Sequence, residues 1–298
     1  MQCINPVRLF KNLSPLEFPD GLLVPCGKCI ACRISKRREW SIRMLHELED
    51  HEKSVFVTLT YSDDYLPQNE SLKKEDLQKF MKRLRKSLEK SERKIRYFAC
   101  GEYGDKTERP HYHLIIYGLG LNIEDRSLIM DAWPYCDWSN RVIRNKSFGL
   151  VEPDSVRYVA QYIDKKYSGE KANVEYTQKC REPCFKCSSL GIGKNWCDKN
   201  KEQVIQQQKL TFKGIPMQLP RYYMNRLGIT TDQMKSISIE KDMHIVEKYT
   251  GVSDITRDEF YRYASVDEVL ELENAIKSAK IQNGKNLTAK SNLKTKKL

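Results

Sequence analysis

The sequence of 298 residues predicts an α+β fold, with an antiparallel sheet that carries helices on one face and a mainly helical C-terminal extension. Segments rich in β-branched and aromatic residues alternate with segments of helical periodicity in the order β-α-β-β-α-β-α. The two middle strands are joined by residues 101–110, which contain the Gly, Asp and Pro typical of a hairpin connection. Hairpins and helical crossovers in this order favour a sandwich of the ferredoxin-like type.

Each predicted element rests on a local pattern. β-Branched and aromatic residues mark the strands, and apolar residues at i, i+3, i+4 and i+7 mark the helices. Asp154 is a candidate N-cap, because its carboxylate can accept from the backbone N–H groups of a first helical turn. In chain order we predict a helix from Ile34 onward, a strand over residues 55–61, a helix from Asp76, strands over 95–100 and 111–117, a helix over 123–133, a short strand over 149–151 and a helix over 154–166.

Composition shifts divide the chain into five segments. Cysteines and basic residues mark the beginning of the chain, and the Lys-rich end without acidic residues is typical of a disordered tail. The expected segments are a Cys-containing basic N-terminal segment over 1–50, the α+β domain over 51–170, a second Cys cluster with a basic-aromatic stretch over 171–228, a helical extension over 229–283 and a disordered tail over 284–298.

The charge balance favours a polyanionic partner. Lys and Arg number 52 against 40 Asp and Glu, a formal net charge of +12, and nucleic acid is the commonest partner of such a surface. No apolar stretch approaches the ~20 residues of a membrane span, and the first ten residues lack the features of a secretory signal. We therefore expect no membrane association and a reducing cytosol, in which ten cysteines favour metal binding over disulfides.

Two histidines lie two residues apart on the most apolar predicted strand. Side chains at this spacing point to the same face of a sheet, so His111 and His113 would present two imidazoles side by side. Glu102 ends the preceding strand, and the hairpin would bring it beside them. This donor set leaves positions open on a divalent ion, which suits Mg²⁺ or Mn²⁺ better than a closed zinc site. The alternatives are two ordinary histidines, and a Glu102 that pairs with Arg109 or Lys106.

Two tyrosines lie one turn apart on the last predicted helix of the domain. Tyr158 and Tyr162 fall at i and i+4, off the stripe formed by the apolar residues of that helix. They are either two nucleophiles on one helix face or a pair of amphipathic surface tyrosines. Lys165 and Lys166 follow on the same side, where a scissile phosphate would need countercharge.

Together these motifs resemble the HUH endonucleases, and more narrowly the replication initiators of microviruses of the gokushovirus branch. The resemblance covers most of residues 1 to about 230, and its specific pairing is the His-x-His with the two-tyrosine helix. The matching stretches are residues 25–29, 38–40, 58–61, 101–104, 109–113, 158–166, 191–196 and 220–223.

The resemblance implies a role for each of these site residues. His111 and His113 would hold a divalent metal ion with Glu102 as the third ligand, and Tyr158 and Tyr162 would be nucleophiles. It implies an enzyme that nicks and rejoins single-stranded DNA at a phage origin in the bacterial cytoplasm, through a 5′-phosphotyrosyl intermediate. The freed 3′-OH would prime rolling-circle replication. The sequence has no G-x-x-x-x-G-K-[ST] motif, so a host helicase and a host polymerase are implied partners.

The cysteines suggest a second, structural metal. Cys26 and Cys29 form one C-x2-C unit and Cys184 and Cys187 form another, so a Cys₄ zinc site joining the two units is expected. Buried free thiols that fill a core are the alternative. The same features leave open a non-catalytic, zinc-stabilised nucleic-acid-binding protein, in which the histidines and tyrosines are structural.

Overall fold

A computed structural model of the chain describes residues 3–10, 22–164, 170–207, 209–212, 215–229 and 231–295. The chain divides into two compact units. One comprises Lys36–Tyr223 and contains the central sheet. The other comprises Met1–Ser35 together with Met224–Leu298.

Strands and helices are numbered in chain order over the described residues. The strands are β1 (Val7–Leu9), β2 (Leu22–Val24), β3 (Ser54–Thr60), β4 (Arg96–Tyr103), β5 (Pro110–Tyr117), β6 (Phe148–Gly149), β7 (Phe185–Ser188), β8 (Lys209–Phe212) and β9 (Ile215–Gln218). The helices are α1 (Ile30–Glu49), α2 (Lys74–Leu88), α3 (Ile123–Ala132), α4 (Arg141–Ser147), α5 (Pro153–Gln161), α6 (Glu170–Ala172), α7 (Lys194–Lys199), α8 (Lys201–Gln207), α9 (Arg221–Leu227), α10 (Thr231–Thr250), α11 (Arg257–Tyr263) and α12 (Val266–Thr295).

Five strands form the central sheet in the order β6-β3-β5-β4-β7, and every neighbouring pair is antiparallel. The predicted α+β class and the antiparallel sheet are thus confirmed. The central strand is β5, which carries the two histidines. Its position follows from its sequence, because a strand that is apolar on both faces is stable only where both faces are covered.

The sheet has two different faces. The one that we call the apolar face is formed by alternate residues of β3 and β5 and is covered by α2 and α3. The one that we call the histidine face carries His111, His113, Ile115 and Tyr117 of β5 and packs against α1 and α5. The residues of the apolar face on these two strands are Val55, Val57, Leu59, Tyr112, Leu114 and Ile116.

Helices therefore cover both faces of the sheet, whereas the sequence predicts them on one. The physical reason lies in β5 itself. Ile115 and Tyr117 share the face of the histidines and are both fully buried, so this face also needs an apolar cover. Met44 of α1 and Val156 of α5 supply part of it. Burying an aliphatic side chain of this size contributes roughly 1.5–3 kcal/mol.

Some element ends differ from the predicted ones. Helix α1 begins four residues earlier than predicted, at Ile30, directly after Cys29. The N-cap of α5 is Glu152 instead of Asp154, because Glu152 forms a capping box with Ser155 and Pro153 occupies the first turn. Strand β7 is an edge strand that the sequence pattern does not predict, since its four residues lie within the second Cys cluster.

The unit formed by the two ends of the chain is mainly helical in its C-terminal part, as predicted. Val246, Phe260, Leu272 and Ile276 form a small core between α10, α11 and α12. Helix α12 continues to Thr295, through most of the stretch for which the sequence predicts disorder. That stretch has no proline and several strong helix formers, which favours continuation of the helix. Among the described residues, no helix combines the length and apolar character that crossing a membrane requires.

Candidate functional site

His113 is held from both sides of its ring. Thr58 lies opposite it on β3, and Thr58 Oγ1 is 3.1 Å from His113 Nδ1. Glu102 of β4 places Oε1 3.0 Å from His113 Nε2. An ionised carboxylate only accepts, so Nε2 donates in this hydrogen bond. His113 and Glu102 are 6% and 4% exposed, and the orientation of the imidazole is therefore fixed by buried partners.

His111 lies next to this pair on the same face. Glu102 is its direct neighbour in the β4–β5 register, and the rings of His111 and His113 are nearly parallel with centroids 6.4 Å apart. Burial, and next the proximity of His113, lowers the pKa of His111 below its ordinary value. The neutral imidazole that this favours is the form that binds a metal ion. A Cβ at Gly104 would lie 3.1 Å from the His111 ring, so glycine leaves room for it.

Helix α5 brings Tyr158 to the histidines. Val156, Val159 and Ala160 pack into the core of the histidine face, which fixes the side of the helix that meets the sheet. Tyr158 is half-buried, and its ring stands edge-on to that of His113 with centroids 5.6 Å apart. Its phenol is thus presented at the buried His–Glu pair.

Tyr162 lies in the 3-10 turn Tyr162–Asp164, which continues α5. Its ring stacks on that of His113 with centroids 4.5 Å apart, and it meets Tyr158 edge-on at 5.0 Å. Burial, and next the negative charge of Glu102, raises the pKa of Tyr162 far above its ordinary value. The sequence predicts both phenols off the apolar stripe, but Tyr162 is only 5% exposed and belongs to the core cluster.

A basic and an aromatic side chain extend the histidine face toward its edge. Lys186 of β7 pairs with Cys100, and Cys100 pairs with His113, so all three share this face. Lys186 Nζ lies 4.0 Å from the ring centre of Trp40 in α1. Burial, and next the positive charge of Lys36, lowers the pKa of Lys186. A cation beside an aromatic ring offers a phosphate contact next to a stacking surface for a base.

The donor chemistry of the histidine face fits a hard divalent ion. Two imidazoles and one carboxylate lie on one face, and Thr58 orients His113 as a hydrogen-bond partner behind a metal ligand does. Within the described residues, the ligand atoms of these three side chains are not all within 4.8 Å of one another. Glu102 Oε1 is instead bonded to His113 Nε2. A metal ion bound here would take the place of the proton between these two atoms.

The structure corrects the expected partners of Cys26 and Cys29. Within the described residues, their Sγ atoms come together with those of two other cysteines, and all four lie within 4.8 Å of one another. Cys184 is buried in the core beneath the apolar face, and Cys187 lies in β7 opposite Ala99. The two additional cysteines of the cluster are Cys3 and Cys32.

The remaining predicted site residues are two lysines. Lys165 and Lys166 lie outside the described residues. Conversely, the sequence motifs assign no role to Thr58 at the site, because its contact with His113 depends on the pairing register of β3 with β5. The β-branched residues and the even spacing of Thr58 and Thr60 are the signal from which this face of β3 could have been predicted.

Comparison with known proteins covers the same elements. Residues 54–167 match the family model of the replication-associated protein ORF2. The chain is 31% identical over 255 residues to the replication-associated protein VP4 of Bdellovibrio phage phiMH2K, covering 76% of each protein. It is 33% identical over 222 residues to the replication-associated protein ORF2 of Spiroplasma virus 4, covering 68% of this chain and 67% of the relative. No solved structure matches the chain.

Proposed function

This chain belongs to the phage replication-associated proteins, as a rolling-circle initiator of the microvirus type, and we propose that it nicks and rejoins single-stranded DNA by tyrosine attack. The observation that carries the proposal is the meeting of α5 with the histidine face, where Tyr158 and Tyr162 both contact the ring of His113. A non-catalytic, zinc-stabilised DNA-binding protein would account for the cysteine cluster. It gives no role to two phenols on a buried His–Glu pair.

The proposed reaction exchanges one phosphodiester for another. The phenol oxygen of a tyrosine forms a bond to phosphorus, the bond from phosphorus to the 3′ oxygen breaks, and the phenol proton is lost. The products are a 5′-phosphotyrosyl link and a free 3′-OH. His111, His113 and Glu102 would hold Mg²⁺ or Mn²⁺, which supplies polarisation of the phosphate and stabilises the charge on the leaving oxygen. This help is needed because a phenol with an ordinary pKa near 10 is a poor nucleophile at neutral pH.

Two tyrosines suit repeated rounds of the reaction. While one holds the 5′ end, the other can cut the regenerated origin, and the phosphodiester energy is kept for rejoining. Tyr158 is half-buried whereas Tyr162 is 5% exposed, so a DNA strand reaches the Tyr158 phenol first. We therefore assign the first cut to Tyr158. Tyr162, stacked on His113, must be uncovered before it can act in the second.

The surroundings of the site support a single strand as substrate. Trp40 offers a ring on which a base can stack, and Lys186 offers a half-buried cation for the adjoining phosphate. The net charge of +12 adds attraction that does not depend on sequence. The proposed setting is the cytoplasm of the bacterial host, where a host polymerase extends the 3′-OH and a host helicase opens the duplex.

Covalent capture tests this proposal. Incubated with single-stranded origin DNA and Mn²⁺ or Mg²⁺, the protein should form an adduct with the 5′ end of the cut strand that survives SDS. A chelator should prevent the adduct, and so should the combined substitutions Tyr158→Phe and Tyr162→Phe. Tyr65→Phe is the matched control, because Tyr65 is 55% exposed and lies away from the histidine face. Failure of the folded, metal-loaded protein to form any adduct would exclude the nicking function.

A further inference from the structure

We infer that Cys3, Cys26, Cys29 and Cys32 form a structural zinc site, separate from the histidine face. The Sγ atom of Cys3 lies 3.6 Å from that of Cys26 and 3.7 Å from that of Cys29. A tetrahedron with zinc–sulfur distances of about 2.3 Å has edges of about 3.8 Å. A disulfide would require sulfur atoms about 2.05 Å apart. The thiols therefore have the spacing of zinc ligands and not of disulfide partners.

Backbone N–H groups surround the sulfur atoms as they do metal-bound thiolates. The N–H of Cys26 donates to Cys3 Sγ at 3.3 Å, and the N–H of Cys29 donates to Cys26 Sγ at 3.3 Å. Gly27 makes the turn between them with a φ of +73°, a conformation that other residues rarely adopt. Hydrogen bonds of this kind stabilise negative charge on sulfur and fix the direction in which the sulfur points.

The choice of metal follows from the ligands. Four thiolates form a soft, closed, tetrahedral site, which selects zinc over the hard ions that suit the histidine face. Cys26, Cys29 and Cys32 follow one another at C-x2-C-x2-C spacing, and the fourth thiol comes from Cys3, 23 residues before Cys26. Because that separation has no local sequence signal, the fold is needed to identify the complete ligand set.

The proposed site would join three parts of the same unit. Cys3 precedes β1, Cys26 follows β2, and Cys32 lies in the first turn of α1. Ile4, next to Cys3, lies against Gly284 of α12, where a Cβ would come within 3.0 Å of it. A zinc ion would therefore close the β1–β2 ribbon at its open end and hold it to the start of α1. A two-stranded ribbon is marginal by itself, which is why such a cross-link matters.

The metal content of the full chain tests the inference. Protein purified without a chelator and without a metal-affinity step should contain about one zinc per chain by mass spectrometry of the elements. Cys3→Ser should lose it, although Cys3 lies outside the C-x2-C spacing. Cys180→Ser is the matched control, since Cys180 is exposed and outside the cluster. Cys187→Ser should also keep the zinc, which separates this ligand set from one that uses the second C-x2-C unit.

A second measurement avoids variants that fail to fold. In the wild-type chain, the four cluster thiols should resist alkylation until zinc is chelated, and peptide mapping should then identify Cys3, Cys26, Cys29 and Cys32 as newly modified. All ten thiols should react in denaturant with chelator, whereas each disulfide would remove two. The inference is overturned if the protein holds iron or no metal, if chelation leaves cluster alkylation unchanged, or if zinc depends on Cys187 and not on Cys3.

Discussion

The two faces of the central sheet have opposite characters on the same strands. On β5, Tyr112 and Leu114 point to the apolar face, while the alternating His111 and His113 point to the histidine face. The apolar face is closed by α2 and α3. The histidine face is apolar only at one end of β5, where Ile115 and Tyr117 lie, and becomes polar at the other.

This comparison shows how a single strand can serve stability and chemistry. The polar groups of the apolar face satisfy each other, as where the Tyr112 hydroxyl meets that of Tyr61 at 2.9 Å and accepts from the N–H of Lys73. Those of the histidine face are also paired, but with groups that a metal ion or a DNA strand can engage. Substitutions on the two faces should therefore separate activity from stability.

The largest expected effect is the loss of a metal ligand. His113→Gln keeps a side chain that can donate to Glu102 but removes the imidazole nitrogen. Lewis-acid assistance contributes several kcal/mol, so metal-dependent nicking should fall by roughly 1,000-fold. The midpoint of urea unfolding should change little. Nicking rates on a labelled single strand measure the first quantity, and a rate close to that of the wild type would remove His113 from the metal site.

Leu114→Ala, one residue further along the strand, should do the reverse. Leu114 is fully buried in the apolar face, so truncation leaves a cavity and should lower the free energy of unfolding by about 2–5 kcal/mol. The nicking rate of the remaining folded protein should be unchanged. Urea unfolding and single-turnover nicking give the two values. If nicking falls as far as in His113→Gln, the two faces are not functionally distinct.

Thr58→Val tests whether orientation of the imidazole matters. The valine keeps the shape of the side chain but removes the oxygen that lies 3.1 Å from His113 Nδ1. Loss of such a partner typically weakens metal binding by about 10–100-fold. Titration with Mn²⁺, read by calorimetry, measures the affinity. Thr60→Val is the matched control, since Thr60 is the neighbouring threonine on the same face and lies opposite His111 instead.

A histidine outside the site gives the smallest effect, and one of opposite kind. His46 lies between the rings of Trp196 and Tyr223, and burial lowers its pKa to about 4. A folded-state pKa below the ordinary value means that protonation favours the unfolded chain, so stability should be lost as the pH falls from 6.5 toward 4. The loss between pH 7 and pH 5 should be at most about 2 kcal/mol.

His46→Gln should remove this part of the pH dependence, as measured by urea unfolding at the two pH values. His244→Gln, at a histidine that is 77% exposed, should leave it as it is in the wild type. An unchanged slope in His46→Gln would show that other groups cause the loss of stability. Glu47 is the obvious candidate, because its pKa is also depressed, burial being outweighed by His51, Gly193 and Arg96.

The sequence predicts those parts of the fold and site that rest on local periodicity. The alternation of β5 predicts that His111 and His113 share a face, and the hairpin predicts Glu102 beside them; both contacts are present. Helical spacing predicts that Tyr158 and Tyr162 lie together, and their rings are in contact. These relations involve residues close in the chain or on adjoining strands.

The parts that could not be predicted depend on long-range pairing. Strand β7 reaches the sheet edge from some 85 residues beyond β4, and its four residues have no alternation that distinguishes them. Cys3 joins its cluster across the β1–β2 ribbon. The burial of Tyr162 follows from the cover that α1 and α5 give the histidine face, which two apolar residues of β5, Ile115 and Tyr117, indicate only in retrospect.

The most direct test of the proposed chemistry is to locate the DNA on the protein. After reaction with single-stranded origin DNA and Mn²⁺, the adduct is digested with nuclease and protease, and the peptide that carries the nucleotide is sequenced by mass spectrometry. We expect the modification on Tyr158 after a single turnover, and on Tyr162 in Tyr158→Phe if any adduct persists. A nucleotide attached to a residue away from the histidine face would contradict the proposal that α5 supplies the nucleophiles.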